Sequence, residues 1–215
     1  MTNVKLLKLH LEIESVIIGE RIKGGVYRPC QETIPSSTIE GALKHYFGVE
    51  VPAVGFFEKD SYEFDEFTCS VRDRVFETSK IPLFTEYIKP ENGDNNIKAE
   101  VYIPLKRAEE EGLHKEILEG FEFQMGALKS KGFGRTKITK VEEIESKLKQ
   151  GFLNVKLFED EAEDFGIKII SPIYGYLFKS KDLVSGIYKR ALFPRSLVKA
   201  PDVLIKNMEG TYYDE

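Results

Sequence analysis

A basic, glycine-rich segment in the second half of the chain decides how the rest is interpreted. It reads Gly126-Ala127-Leu128-Lys129-Ser130-Lys131-Gly132-Phe133-Gly134-Arg135-Thr136-Lys137 and holds three glycines and four cations in twelve residues. Glycine lets backbone N–H groups approach a ligand closely and permits positive φ, and consecutive N–H groups form an anion-binding concavity. Lysine and arginine add positive charge for a phosphate. The segment therefore predicts a loop that binds a phosphate backbone.

The charge of this segment contrasts with that of the whole chain. The 215 residues carry a net charge of −5 and a pI of about 5.5, yet no acidic residue lies between Phe123 and Val141. General nucleic-acid binders are usually basic overall, so we expect a local basic groove on an acidic body. The length suffices for one large domain, or for one domain with an appendage.

The two cysteines, Cys30 and Cys69, fit neither a metal-ligand spacing nor a disulfide framework. No apolar run approaches the roughly 18 residues that a membrane span needs, and no signal peptide is recognisable. We therefore expect a cytoplasmic protein with no membrane contact, no cofactor, no metal site and no small-molecule substrate.

Hydrophobic periodicity predicts the elements around the basic segment. Residues 4–14 alternate as a half-buried strand. A helix follows, for which Ser37 and Glu40 predict a capping box and Gly48 the C-terminal end. The remaining predictions are a strand at 49–59, a hairpin insertion at about 60–96, a strand at 97–105, a helix at 107–125 and a strand at 133–144.

This order predicts an α+β fold: a ferredoxin-like (RRM-like) β-α-β-β-α-β domain over residues 1–148. Its two helices would cover one face of the sheet and leave the other free. Residues 149–215 predict a β-rich C-terminal extension packed on that domain, with an exposed acidic turn at 159–164.

A second basic loop precedes the first helix, at residues 18–31. It contributes four candidate RNA-binding residues, Arg21, Lys23, Tyr27 and Arg28. Tyr27, like Phe133 in the glycine-rich segment, has a ring that can stack on an unpaired base. The predicted framework would bring the two basic loops near one face.

The chain offers few candidates for catalysis. The glycine-rich segment matches neither a P-loop nor a dinucleotide fingerprint, and the three histidines are scattered singly. A metal-free ribonuclease could use one histidine as a general acid or base. His45 and His10 are the remaining candidates for that role, because His114 is expected to be exposed; none has an obvious partner in the sequence.

Two motifs resemble the CRISPR-associated RAMP superfamily (repeat-associated mysterious proteins). Residues 125–135 resemble its glycine-rich loop, and Ile34-Pro35-Ser36-Ser37-Thr38-Ile39-Glu40-Gly41-Ala42-Leu43 resembles the start of its first helix. Gly19-Glu20-Arg21 with Gly24-Gly25 resembles the preceding loop of type III relatives. The resemblance covers roughly the first 145 residues.

The resemblance implies a non-catalytic subunit of a class 1, type III effector complex in antiviral defence. Such a subunit holds guide RNA (crRNA), here its 5′ handle, beside other effector subunits. The superfamily's loop contacts map to Gly126, Lys129, Lys131, Gly132, Phe133, Gly134 and Arg135. Lys137, the next cation of the basic segment, completes the candidate set.

Two alternatives stay open. Some type III backbone subunits cut target RNA with an Asp between first strand and first helix, but residues 18–36 hold no Asp and only Glu20 and Glu32 as acids. Processing endoribonucleases of the superfamily often use a histidine near the first helix, which keeps His45 as a candidate for a metal-independent endoribonuclease. The second alternative is a scaffold whose basic loops bind an acidic partner protein.

Overall fold

A computed structural model describes residues 3–19, 26–70, 75, 82–91, 95–181 and 185–206. The strands are β1 (Asn3–Ile13), β2 (Tyr27–Arg28), β3 (Thr33–Ile34), β4 (Val54–Phe57), β5 (Tyr62–Cys69), β6 (Leu83–Pro90), β7 (Ile97–Pro104), β8 (Glu122–Gln124), β9 (Arg135–Leu153), β10 (Leu157–Phe158), β11 (Lys168–Ser171), β12 (Tyr174–Ser180), β13 (Gly186–Leu192), β14 (Leu197–Pro201) and β15 (Ile205–Lys206). The helices are α1 (Ser36–Phe47), α2 (Leu105–Glu110) and α3 (Lys115–Leu118). Short 3-10 turns lie at Lys129–Lys131, Glu159–Glu161 and Asp202–Leu204.

The largest sheet is antiparallel, with the order β11-β14-β9-β1-β7-β4-β3 and with β8 and β15 also paired to β9. Two smaller sheets have the orders β2-β6-β5 and β10-β13-β12. Strand β1 confirms the predicted alternation, because Leu7, Leu9 and Leu11 are buried on one face. The architecture is mostly β and is compatible with the expected α+β class.

Helix α1 confirms one predicted end and corrects the other. It stops at Gly48, whose φ of 74° is the left-handed conformation that glycine adopts without strain. The predicted capping box is wrong, because Pro35 occupies the N-cap position and no side chain caps the helix. The Glu40 carboxylate instead accepts a hydrogen bond from the Lys179 ammonium.

The predicted long helix at 107–125 is wrong. Helix α2 ends before Gly112, α3 is a single turn, and the chain then extends into β8 beside β9. Gly112 and Gly120 have φ values of 71° and 83°, which are incompatible with a continuing right-handed helix. The apolar spacing of this region was helical, but the glycine conformations divide it.

A hairpin lies between the second and third predicted strands, in the region expected to be an insertion. Strands β5 and β6 pair in antiparallel register from Tyr62 opposite Pro90 to Cys69 opposite Leu83. The strand expected at 49–59 is shorter than predicted, because only β4 is extended and paired there.

The second face of the large sheet is not free, contrary to expectation. Leu6, Val54 and Tyr102 lie on that face in one buried cluster with Leu153 and Phe165. A larger cluster on the other face packs beneath α1. The C-terminal part therefore covers one half of the sheet face that a two-helix domain would expose.

The prediction of an exposed acidic turn at 159–164 is wrong for Glu161, because its side chain is buried. None of the helices in the described part of the chain is long and apolar enough to span a bilayer.

Candidate nucleic-acid interface

The base of the glycine-rich loop is fixed by backbone hydrogen bonds. The Met125 N–H donates to the Gly134 carbonyl at 3.0 Å, which closes the loop on itself. The Ala127 N–H donates to the Ile17 carbonyl at 2.9 Å, and the Gly134 N–H donates to the Ser15 carbonyl at 2.6 Å. The loop is thereby tied to the chain that leads into the first basic loop.

Gly126 and Gly134 are required by this closure. Their φ values are 82° and 85°. A Cβ at Gly134 would lie 1.9 Å from the Met125 carbonyl oxygen, and one at Gly126 would lie 2.5 Å from that of Ile17. Real side chains do not fit at these distances, so both glycines serve the fold of the loop. The Gly134 N–H donates to the Ser15 carbonyl and is therefore not available to a ligand.

The tip of the loop is a single 3-10 turn over Lys129–Lys131, between Leu128 at φ 52° and Gly132 at φ 97°. Ser130, Lys131 and Gly132 are exposed, and no heavy atom lies within 4 Å of a Cβ built at Gly132. Lys129 is half-buried, and burial lowers the pKa of its ammonium. The tip, rather than the base, has the open backbone and the cations that a phosphate requires.

Phe133 does not have the role that the sequence predicted for it. Its side chain is buried at 8% exposure, and its ring packs edge-on against Phe67 at 5.3 Å and Tyr87 at 5.2 Å between centroids. Both neighbours belong to the β5–β6 hairpin. The ring therefore joins the loop to the hairpin, and stacking on a base does not fit this arrangement.

Arg135 and Lys137 begin β9 and are exposed. Their cationic groups lie 3.8 Å from the Glu14 carboxylate and 3.2 Å from the Glu122 carboxylate respectively. Exposed ion pairs of this kind contribute little to stability. Both cations can therefore exchange these partners for a phosphate at small cost.

The first basic loop is described only in part. Arg21 and Lys23 lie outside the described residues, whereas Tyr27 and Arg28 form the exposed strand β2. The Tyr27 hydroxyl donates to a Glu86 carboxylate oxygen at 2.7 Å, and this hydrogen bond raises the pKa of Tyr27. The ring itself stays accessible, so Tyr27 keeps its expected stacking surface.

A cavity of about 460 Å³ lies between α1, the loop tip and the end of β12. It brings together His45 and Lys129, two candidate residues that the sequence could not connect. Its remaining lining residues are Ser37, Glu40, Gly41, Lys44, Lys179, Ser180 and Lys181. Lys179 pairs with Glu40 and Glu50, and Lys44 pairs with Glu50. Lys129 and Lys181 form no ion pair with a described residue, so the cavity suits an anionic ligand.

Gly41 lies on the wall of this cavity and is exposed. Glycine inside a helix costs roughly 1 kcal/mol relative to alanine. A Cβ at this position would have no heavy atom within 4 Å, so no packing contact within the described chain requires glycine. The bare helix backbone leaves room for close approach by a ligand.

A buried carboxyl cluster connects α1 to the C-terminal part, and no local sequence pattern predicts it. Lys179 forms an ion pair with Glu40, whose side chain is nearly fully buried. Burial, together with the neighbouring Glu40 carboxylate, raises the pKa of Glu161 to about 8. The Phe158 N–H donates to a Glu161 carboxylate oxygen at 3.3 Å. These acids lie far apart in sequence, and only the fold brings them together.

The open half of the sheet face carries charged side chains. Potential ligand atoms of His10, Glu58 and Glu100 lie within 4.8 Å of one another. The Lys8 ammonium lies 2.6 Å from the Glu100 carboxylate, and the His10 imidazole lies 2.9 Å from that of Glu142. Because Glu100 and His10 already have these partners, the cluster behaves as a network of surface charges.

No protein-family model and no curated protein matches this chain. Among solved structures, the chain is similar to a chain of the cryo-EM structure of the type III-B Cmr-beta bound to cognate target RNA. The TM-score is 0.54 at 10% sequence identity, and the match covers 91% of this chain and 86% of the Cmr-beta chain. A Cmr-beta structure with target RNA and AMPPnP gives a TM-score of 0.48 at 10% identity, covering 92% and 86%. At this identity the first likeness shows a shared fold.

Proposed function

We propose that this chain is an RNA-binding subunit of a type III CRISPR effector complex. The single observation that carries the proposal is the tip of the glycine-rich loop, where Lys131 is exposed and Lys129 lines the lysine-lined cavity beside α1. Lysines around open backbone suit phosphates rather than a neutral ligand. The fold shared with a chain of an RNA-bound type III-B assembly supports the same proposal.

The sheet supports a ferredoxin-like interpretation of the first 148 residues. In a β-α-β-β-α-β unit the four strands are β1, β4, β7 and β9, and their spatial order is β9-β1-β7-β4 with antiparallel pairing. The fourth strand then lies beside the first, and the third beside the second. We assign residues 149–215 to the β-rich extension, since β14 and β15 pair with the end of β9.

Within such a complex we propose that the ligand is guide RNA, held at its 5′ handle, and that the subunit is non-catalytic. The resemblance of the loop and of α1 to the RAMP superfamily supports the guide-RNA assignment. In the described part of the segment before α1, Glu32 is the one acidic residue, and the Asp that target-cutting relatives carry in this segment is absent. The other effector subunits would be its protein partners.

The loop tip can be tested by charge removal. A triple variant, Lys129→Ala with Lys131→Ala and Arg135→Ala, should lower affinity for single-stranded RNA and reduce the slope of log affinity against log salt by about 2. Filter binding at several salt concentrations measures both quantities.

The matched control removes the same charge at the opposite end of β1. It combines Lys5→Ala, Lys106→Ala and Lys147→Ala, all at exposed positions, and it should change affinity by less than about twofold. Equal losses in the two triple variants would mean that only net charge matters, and unchanged affinity in the first would refute the loop as the binding site.

One observation favours a second candidate, a metal-independent endoribonuclease. His45 is exposed on the wall of the lysine-lined cavity, where an imidazole would lie beside a bound phosphodiester. Labelled repeat RNA incubated with the protein in EDTA distinguishes the two functions. Site-specific cleavage that disappears in His45→Ala would establish the enzyme, and intact RNA supports the binding subunit.

A further inference from the structure

The β12–β13 ribbon in the C-terminal part presents an aromatic outer face. Residues directly opposite each other on paired strands share a face, and the pairs Tyr176–Arg190 and Phe178–Tyr188 lie on the outer side. Tyr174 follows on the same side, two residues before Tyr176. Three tyrosines, one phenylalanine and one arginine therefore share one face of a two-stranded ribbon.

These rings are open to solvent. Tyr176 is 67% exposed, Tyr188 is 54% exposed and Tyr174 is 42% exposed. Tyr176 and Tyr188 are diagonal neighbours on the paired strands, a relation that separates side chains by about 7–8 Å, so each can receive one base of an extended single strand. Exposed rings at this spacing are the means by which sheets bind unpaired nucleotides.

The outer face is held in place by its own contacts. The Arg190 guanidinium lies 4.4 Å from the Tyr174 ring centroid and binds both carboxylate oxygens of Glu159. The Phe178 ring packs edge-on against Tyr188 at 5.5 Å and lies over Gly186, where a Cβ would come within 2.4 Å of it. The surface is thus organised without a ligand.

The opposite face of the ribbon anchors it to the body of the protein. Leu177 is buried in a cluster with Phe158 and Ala191, and Lys179 pairs with Glu40 of α1. These contacts fix the orientation of the ribbon, so that Tyr174, Tyr176 and Tyr188 face solvent.

The charge of this region favours a polyanion over a protein as the occupant. Residues 165–200 hold seven lysines and arginines but a single acid, Asp182, in a chain of net charge −5. Glu159 and Asp160, which precede this range, pair with Arg190 and Lys189 of the ribbon. Lys168, Arg195 and Lys199 form no ion pair with another residue that the structure describes. Lys168 and Lys199 are even direct cross-strand neighbours, a like-charge pairing that a bound anion would relieve.

We propose that the outer face of the β12–β13 ribbon is a stacking platform for single-stranded RNA, separate from the glycine-rich loop. Tyr176 and Tyr188 would stack on successive bases, and the basic residues of the C-terminal part that lack a described acidic partner would bind the phosphates. The proposal shares an RNA ligand with the proposed function but depends on different residues, so each can fail alone.

Fluorescence gives a direct test, because the chain contains no tryptophan. Tyr176→Trp introduces one fluorophore at an exposed position, and titration with an oligouridine of about eight nucleotides should quench it if bases stack there. In parallel, Tyr176→Ala with Tyr188→Ala should weaken binding of that oligonucleotide about tenfold or more. The double Tyr→Phe variant keeps the rings and should stay within about twofold of wild type.

The outcomes separate this proposal from the loop. Loss of affinity in the double Ala variant, with quenching in the Tyr176→Trp variant, supports the platform even if the Lys129, Lys131 and Arg135 triple variant binds normally. Absence of quenching, or unchanged RNA affinity in the double Ala variant, overturns the platform. If the double Ala variant binds RNA normally but no longer binds a purified effector subunit, the platform is likewise overturned and the face binds a protein. Thermal unfolding checks that the variants fold.

Discussion

The glycine-rich loop and the β12–β13 ribbon carry similar residues but use them in opposite ways. Both are basic and both contain aromatic rings. In the loop, Phe133 is buried against the β5–β6 hairpin, whereas Tyr176 and Tyr188 of the ribbon face solvent. An aromatic residue beside cations therefore does not by itself mark a stacking site. The element packed against it decides whether its ring is exposed to solvent.

The two regions are also attached differently. The loop is held by uncharged backbone hydrogen bonds to Ser15 and Ile17. The ribbon is attached through Lys179 and Glu40, beside the buried Glu161. Mutation and pH should therefore affect the two attachments in different ways.

The largest expected effect is on the base of the loop. Gly134→Ala forces a Cβ against the Met125 carbonyl oxygen and imposes a left-handed φ on a residue with a side chain, so we expect a loss of about 3–5 kcal/mol in the free energy of unfolding. Gly132→Ala is the matched control, since its φ is also positive but its Cβ has free space; it should cost about 1 kcal/mol. Urea denaturation measures both, and similar losses would contradict a tightly packed base.

The second-largest expected effect compares the loss of a buried aromatic ring with the loss of an exposed one. Phe133→Ala should lower the free energy of unfolding by about 3 kcal/mol, because it opens a cavity between Phe67 and Tyr87. Tyr176→Ala, at an exposed position, should cost less than about 1 kcal/mol. If both losses were small in the same denaturation assay, Phe133 would not be joining the loop to the hairpin.

The smallest effect concerns the attachment of the ribbon. The pKa of Glu161 is about 8 in the folded protein, against an ordinary value of 4.5. Its carboxyl group binds a proton in the folded state but not in the unfolded state between these values, so this contribution to stability is full at low pH and is lost as pH rises toward 8. Relative to Glu161→Gln, wild type should lose about 2–3 kcal/mol between roughly pH 5 and pH 7.

Denaturation at both pH values measures that difference. Asp160→Asn removes one negative charge at the adjacent exposed position but keeps Glu161, so its stability should depend on pH as that of wild type does. A parallel response of wild type and Glu161→Gln would mean that Glu161 does not titrate in this range.

Local pattern predicted much of the fold. The alternation of Leu7, Leu9 and Leu11 predicted the first strand, Gly48 predicted the end of α1, and the turn-rich insertion became the β5–β6 hairpin. Each of these depends on residues close together in sequence. The basic loop was located by the same kind of local signal.

The errors arose where distant residues or unusual backbone conformations decide the structure. Helical spacing at 107–125 carried no information that Gly112 and Gly120 would turn left-handed. Glu40 fits a capping motif, but Lys179, far along the chain, binds its carboxylate instead. Phe133 was predicted to stack on a base because its ring partner Phe67 lies far away in sequence, in the β5–β6 hairpin. These are properties of the assembled fold.

The lysine-lined cavity has a consequence for how the protein would bind a long ligand. Lys129 of the loop tip and Lys179 to Lys181 at the end of β12 line this one cavity, so the two proposed contact surfaces adjoin within one folded unit. Binding at one surface then raises the effective concentration of RNA at the other. An RNA too short to span both should lose this avidity.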